Sequence, residues 1–194
     1  MLESAELFWI STVRANGQPD VSPLVAVWHD GAVYFCTGPG EQKGKTVMAE
    51  GASDARDQAL APVRKGPPIP GSAPLPMPVL PGLGKNLVTN ARVVLTTGCN
   101  RWDQGLDVVV EGEAQRVTGR AALERLAAEW VKKWDGRWQF KPTDDGFRHE
   151  GGGLALVFAV KPTKVLAFSK GAFSHTRYLP SESMATAGAA LASR

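Results

Sequence analysis

Cysteine is scarce in this chain of 194 residues. Cys36 and Cys99 are too few for a disulfide framework, so both are expected as buried free thiols. The three histidines, His29, His149 and His175, stand far apart and match no metal-ligand spacing, so no metal site is expected. Long apolar runs are also missing. Nothing approaches the roughly 18 consecutive apolar residues of a membrane span, and the opening MLESAELFWIS lacks the basic region of a signal peptide. The expectation is a cytoplasmic protein with no membrane partner. Like charges form no block, no basic face repeats at helical spacing, and the net charge is only +3, so nucleic acid is not an expected partner either.

What is present suits one domain with a sizeable core, since 43% of the residues are hydrophobic. Phe8 to Arg14 is rich in strand formers and runs into Ala15-Asn16-Gly17-Gln18, a hairpin signal. Val21, Leu24, Val25, Val27 and Trp28 read as one returning strand. His29-Asp30-Gly31 then turns the chain into AVYFCT. Ala91 to Gly98 and Leu106 to Val117 supply two more strands. Leu154 to Val160 and Lys164 to Ser169 read as a further pair, parted by Lys161-Pro162-Thr163. Short strands at even spacing with tight turns predict a mainly β barrel with few helices.

One helix stands out. Leu123, Leu126, Ala127, Trp130, Val131 and Trp134 fall on a single stripe. Thr118 is the expected cap, Lys132 and Lys133 suit the negative end of the dipole, and Gly136 follows the end. Its two tryptophans are expected to plug the barrel or cover its side. Between Lys45 and Lys85 the pattern fails. TVMAEGASDARDQALA is compatible with a short helix, but eight prolines from Pro62 to Pro81 forbid a ladder or a helix beyond it. The segment SESMATAGAALASR at 181–194 carries no anchoring pattern and is expected as a loose tail.

GPGEQKGKT invites comparison with a nucleotide-binding phosphate loop, which needs a glycine five positions before the glycine of Gly-Lys-Thr. Pro39 occupies that place, with Gly38 and Gly40 each out of step by one, so the match fails. What remains is Thr37, Gly38, Gly40, Gln42, Lys43 and Lys45 between a strand and a helix start. Backbone N–H groups and lysines converging in this way can hold a phosphate. On these residues alone, a solvated turn with surface lysines is the plainer reading.

Three stretches, FWISTVRANGQPDVSPLVAVWHDGAVYFCTGPGEQKGK, KNLVTNARVVLTTGCNRWDQGLDVVVEGEAQRV and VFAVKPTKVLAFSKGAFSHTRY, together resemble the FMN-binding split-barrel family. These are the pyridoxamine 5'-phosphate oxidase-like proteins, including an actinobacterial branch that uses a deazaflavin (coenzyme F420). The resemblance implies a split β-barrel over 1–180. In the family QKGK runs directly into NL, so residues at about 46–84 read as a Pro-rich insertion. It further implies an oxidoreductase binding FMN, or alternatively the deazaflavin, between the subunits of a homodimer. A non-catalytic flavin- or haem-binding carrier or sensor is the alternative.

Family roles carry over singly. Thr37 matches the threonine before the phosphate-binding triplet, and Lys43 keeps a basic residue of it. Gln42 replaces the arginine, removing a bidentate contact. The next basic position is Lys45 or Lys85, and Asn86 falls where a helix N-terminus should face the phosphate. Pro23, Val25 and Val27 lie on the strand that edges the flavin ring. FSHTRY departs from the pyridoxal-clamping elements of the true oxidases and makes vitamin B6 a poor substrate. Within it His175 and Tyr178 are the candidates for catalysis, and Ser174 and Arg177 for contact with substrate or second subunit. Asn100 and Trp102 resemble a pattern of the actinobacterial branch, with loop packing and substrate contact both open for Trp102.

Overall fold

The computed structural model describes residues 1–38, 83–148 and 153–180. The first hairpin pairs β1 (Phe8–Val13) with β2 (Pro19–Leu24). After a two-residue break come β3 (Val27–His29) and β4 (Ala32–Thr37). Helix α1 (Leu83–Thr89) leads into β5 (Arg92–Thr97) and β6 (Leu106–Val117). Helix α2 (Arg120–Lys133) and two short strands, β7 (Lys141–Pro142) and β8 (Phe147–Arg148), precede β9 (Leu154–Ser169) and β10 (Ser174–Tyr178). Every pairing is antiparallel, in the order β2-β1-β5-β6-β9-β4-β3, and β10 lies beside β9.

Alternation along the strands sorts the side chains between two cores. Phe8 and Ile10 of β1, Val33 and Phe35 of β4, Val93 and Leu95 of β5, and Val108 and Val110 of β6 turn inward and fill the barrel. Leu83 and Leu87 of α1 close it at one end. On the opposite face of β4 and β9, Cys36, Ala155 and Val157 meet Leu123, Leu126 and Trp130 of α2. The helix tryptophans therefore cover the side of the barrel, as one of the two sequence readings has it. Val131 departs from the predicted stripe and is exposed.

The two predicted strands at Leu154–Val160 and Lys164–Ser169 are one continuous strand with a bulge. Glu111 pairs with Lys164 and Gly112 with Pro162, so Thr163 is the extra residue, its hydroxyl donating to the Glu111 carbonyl at 3.1 Å. Pro162 sits beside this irregularity, where the ladder is already disturbed. Gly112 lets the two backbones close up, because a Cβ there would lie 2.5 Å from the Lys161 carbonyl oxygen.

Four further expectations are corrected. The returning strand is two strands, split at Val25-Ala26. Thr118 does not cap α2: Gly119, at φ 92, occupies the N-cap with no side-chain bond. Cys99 is exposed, and only Cys36 is buried. Helix α1 begins at Leu83, so Leu83 and Gly84 belong to the fold and not to the excursion before it. The proposed short helix at Thr46–Ala61 and the tail at 181–194 lie outside the described residues. Among the described residues no helix is long and apolar enough to cross a membrane, and no group of histidine, cysteine and carboxylates could hold a metal ion.

Candidate functional site

Strand polarity places the last residue of β4, Thr37, at the end of the barrel closed by α1. Its Cα partner is Leu156, near the start of β9. Thr37 is 0% exposed and its Oγ1 has no hydrogen-bond partner among the described residues. A buried hydroxyl left unpaired costs about 1–3 kcal/mol. Gly38 follows with open space on its Cβ side. Gln42, Lys43 and Lys45 lie outside the described residues, and the chain is next described at α1.

On α1 the neighbours Lys85 and Asn86 point different ways. Lys85 is exposed. Asn86 is the fourth residue of the helix, not its N-terminus, and is only 6% exposed. Its Nδ2 donates to Thr12 Oγ1 at 3.0 Å and to Asp20 Oδ2 at 2.9 Å. Arg14 donates to the other Asp20 oxygen at 2.6 Å. Both amide hydrogens are thus used inside the fold, and Asn86 acts as a strut that fixes α1 to the β1–β2 hairpin. Asn86→Ala is expected to cost about 1–3 kcal/mol, because Thr12 and Asp20 lose a donor in a buried place. Asn86→Asp should cost at least as much, since it sets a second carboxylate against Asp20. Urea unfolding checks both; a loss within about 0.5 kcal/mol would count against the strut.

A second group of predicted residues gathers at the far end. The pairings Ser174–Ser169 and Ser169–Leu106 put the start of β10 beside the start of β6, away from Thr37. The loop before β6 carries Asn100 and Trp102 to the same place, and Lys170 braces the two. Its Nζ bonds the Cys99 carbonyl at 2.5 Å and Asp107 at 2.9 Å, while its backbone N–H reaches the Gly105 carbonyl at 2.9 Å. Trp102 is 80% exposed, which removes the loop-packing reading. Phe173, at φ 42, is 70% exposed.

Strand β10, absent from the sequence reading, is exposed at all five residues. His175 and Tyr178 differ by an odd number of positions and so project from opposite faces of the strand. His175 shares its face with Phe168, ring centroids 6.3 Å apart. Arg177 lies on that face too, with Ser174 on the other. Within one chain the structure therefore unites Thr37 with α1, and Asn100 and Trp102 with Ser174, but keeps the two groups apart. Pro23 lies on the outer face of the sheet, whereas Val25 and Val27 pack against the α2 layer. Cys36 is no nucleophile: burial pushes its thiol up to about 12.

No family model matches the sequence, and no curated protein matches it. Solved structures do. A heme binding protein from Mycobacterium smegmatis superposes with a TM-score of 0.54 at 12% identity, over 91% of this chain and 53% of the other. The chain thus spans about half the length of that protein. A conserved hypothetical protein from Mycobacterium tuberculosis gives 0.53 at 15% identity, over 87% and 79% of the two chains. A protein named as a candidate 5-nitroimidazole antibiotic resistance protein, from Bacteroides thetaiotaomicron, gives 0.50 at 11% identity, over 85% and 77%. At such identities the likeness is one of fold. Antiparallel pairing throughout, a side layer built on one long helix and these superpositions together give the chain a mainly β split-barrel fold.

Proposed function

We propose that this chain is a flavin- or deazaflavin-dependent oxidoreductase of the pyridoxamine 5'-phosphate oxidase-like kind. The observation that carries the reading is the orphaned Thr37 hydroxyl at the α1 end. It lies fully buried at a strand end from which the chain runs toward Gln42, Lys43 and Lys45. The oxygens of a phosphate accept hydrogen bonds, so one of them would supply the partner that Thr37 Oγ1 lacks among the described residues. Lys43, with Lys45 or Lys85, would supply charge, while Asn86 holds α1 in place. FMN is the first choice of cofactor and the deazaflavin coenzyme the second. When bound, the ring supplies hydride transfer to or from a small organic substrate. The chain's own task is to anchor the phosphate, edge the ring with the backbone near Pro23, Val25 and Val27, and exclude water.

The proposal includes a homodimer. Pro23, Trp9, Thr96, Val109, Leu166 and Arg177 form one cross-strand row on the outer face, with Trp9 exposed within it and Val21 exposed beside it. A second copy seated on that face would exclude water from the row. It would also let the group at Asn100, Trp102 and Ser174 of one subunit approach the phosphate end of the other. His175 and Tyr178 remain the candidates for proton transfer, one per face of β10.

Titration with FMN, the deazaflavin coenzyme and haem, followed by visible absorption, tests the reading. A flavin-type band that bleaches on reduction and recovers with turnover supports it. A Soret band alone, or a bound flavin that no reductant or acceptor changes, favours the carrier reading. Lys43→Ala should weaken flavin binding by about 1.5–3 kcal/mol. Thr37→Val should weaken it too, while leaving the cofactor-free fold as stable as before or more so. Full affinity in Thr37→Val, or sedimentation of the loaded protein as a monomer, would sink the corresponding part.

A further inference from the structure

At the end of the barrel away from α1, a cleft of about 650 Å³ opens between three elements. The N-terminal segment forms one wall, the β3–β4 hairpin the second and the last turn of α2 the third. Its volume falls within the usual range of small-molecule sites, roughly 300–1,000 Å³. Of its lining residues the function proposed above uses Val27 alone, and none of the charged ones.

Lys133 is one of its lining residues. Nζ donates to the Ala5 carbonyl at 2.6 Å and to the Ala26 carbonyl at 2.7 Å. The rings of Phe8 and Trp134 lie 5.7 and 5.6 Å from it. An ammonium carries three N–H donors. Two are accounted for, and the third has no acceptor among the described residues. Burial pulls this ammonium below the usual lysine range, against a weaker opposing effect of Glu6, so an added anionic partner there would gain from poor competition by water.

The rim has the opposite character. Glu3, Glu6, Asp30 and Glu129 set four carboxylates against Lys132 and Lys133, in a chain whose net charge is +3. His29 engages two of the four, with contacts of 3.2 Å to Asp30 and 3.8 Å to Glu129. Glu3 and Glu6 belong to the exposed N-terminal segment and are not bound to His29. Trp28, half-buried beside them, gives the wall an aromatic surface. A simple anion would meet the rim, and a simple cation would meet Lys133.

We propose that this cleft binds a small zwitterion of the amino-acid type, its carboxylate on the spare N–H of Lys133 and its ammonium among the rim carboxylates. Three ligands decide the matter by titration calorimetry on the full chain: L-phenylalanine, its amide, and N-acetyl-L-phenylalanine. The free amino acid should bind saturably, and each blocked form should bind about tenfold more weakly or worse, one lost charged contact being worth about 1.4 kcal/mol or more. Lys133→Met should abolish the preference over the amide. Because Lys133 also ties the N-terminal segment to the barrel, Glu3→Gln with Glu6→Gln serves as the second variant. Both changes lie on exposed residues, and the pair should reduce the preference over the N-acetyl form. Equal binding of the amino acid and its N-acetyl form would reduce the cleft to an anion site and overturn the proposal. So would no saturation up to about 10 mM, the concentration at which a site of this class has no useful affinity.

Discussion

Trp130→Ala is expected to destabilise the protein by about 3–5 kcal/mol, the range for deleting a large buried aromatic side chain. Trp130 is completely buried and stands edge-on to Phe140 and Phe147, with centroids at 5.8 and 5.6 Å. Those two rings stack on each other at 4.7 Å. Removing the indole therefore opens a hole among neighbours that are already packed face to face and cannot easily collapse. The indole N–H itself has no acceptor among the described residues. Trp130→Phe keeps much of the ring area and discards that orphaned donor, so its loss should be clearly smaller. Urea midpoints of the two variants separate shape from hydrogen bonding. Equal losses would show that the N–H is engaged after all and that packing is not the dominant contribution.

Two deletions should part company over two residues. Removing 46–82 leaves Leu83 in place, 1% exposed in the barrel core. Loop-closure entropy grows slowly with length, so shortening the connection should change stability by about 1–3 kcal/mol in the favourable direction. Removing 46–84 deletes Leu83 as well and should cost about 2–5 kcal/mol relative to the shorter deletion, as other buried leucine truncations do. The shorter deletion is also expected to bind cofactor more tightly, because it rejoins Lys45 with α1. Thermal unfolding and cofactor titration of both variants check this. Should the 46–82 deletion fail to fold or lose the cofactor, the Pro-rich stretch belongs to the site and is no mere insertion.

Residues that alternate strictly were easy to read. LDVVVEGEAQRV, with its alternating burial, is a strand with the predicted bounds, and so is AVYFCT, an apolar run announced by the turn before it. The stripe on α2 was legible for the same reason, apart from Val131. Reading failed where a local signal had a tertiary answer. Pro162 looks like a break, yet the ladder accommodates it beside a bulge. SHTRY lacks an apolar face because its strand has no core of its own to cover, so no periodicity betrays it. The resemblance sets Asn86 where a helix N-terminus should face a phosphate, whereas Thr12 and Asp20, more than 60 residues earlier, hold its side chain. The proposed phosphate loop is legible only through resemblance. Its lysines carry no pattern that distinguishes them from a solvated turn, and the buried Thr37 hydroxyl is an observation that only coordinates provide.

The 16 residues of β9 serve as a ruler for the whole molecule. The strand pairs with β6 from Val157 to Ser169 and, in sequence, with β8, β4 and β10. Losing or gaining one residue between Leu154 and Val160 would turn the inward set outward along the strand. Such a change would upset three neighbours at once, however conservative the residue involved. Thr163 is the place where the strand already carries an odd residue. Indels along β9 should therefore survive selection only there, and a change in that one position would rotate the β10 arm against the barrel while leaving both halves internally intact.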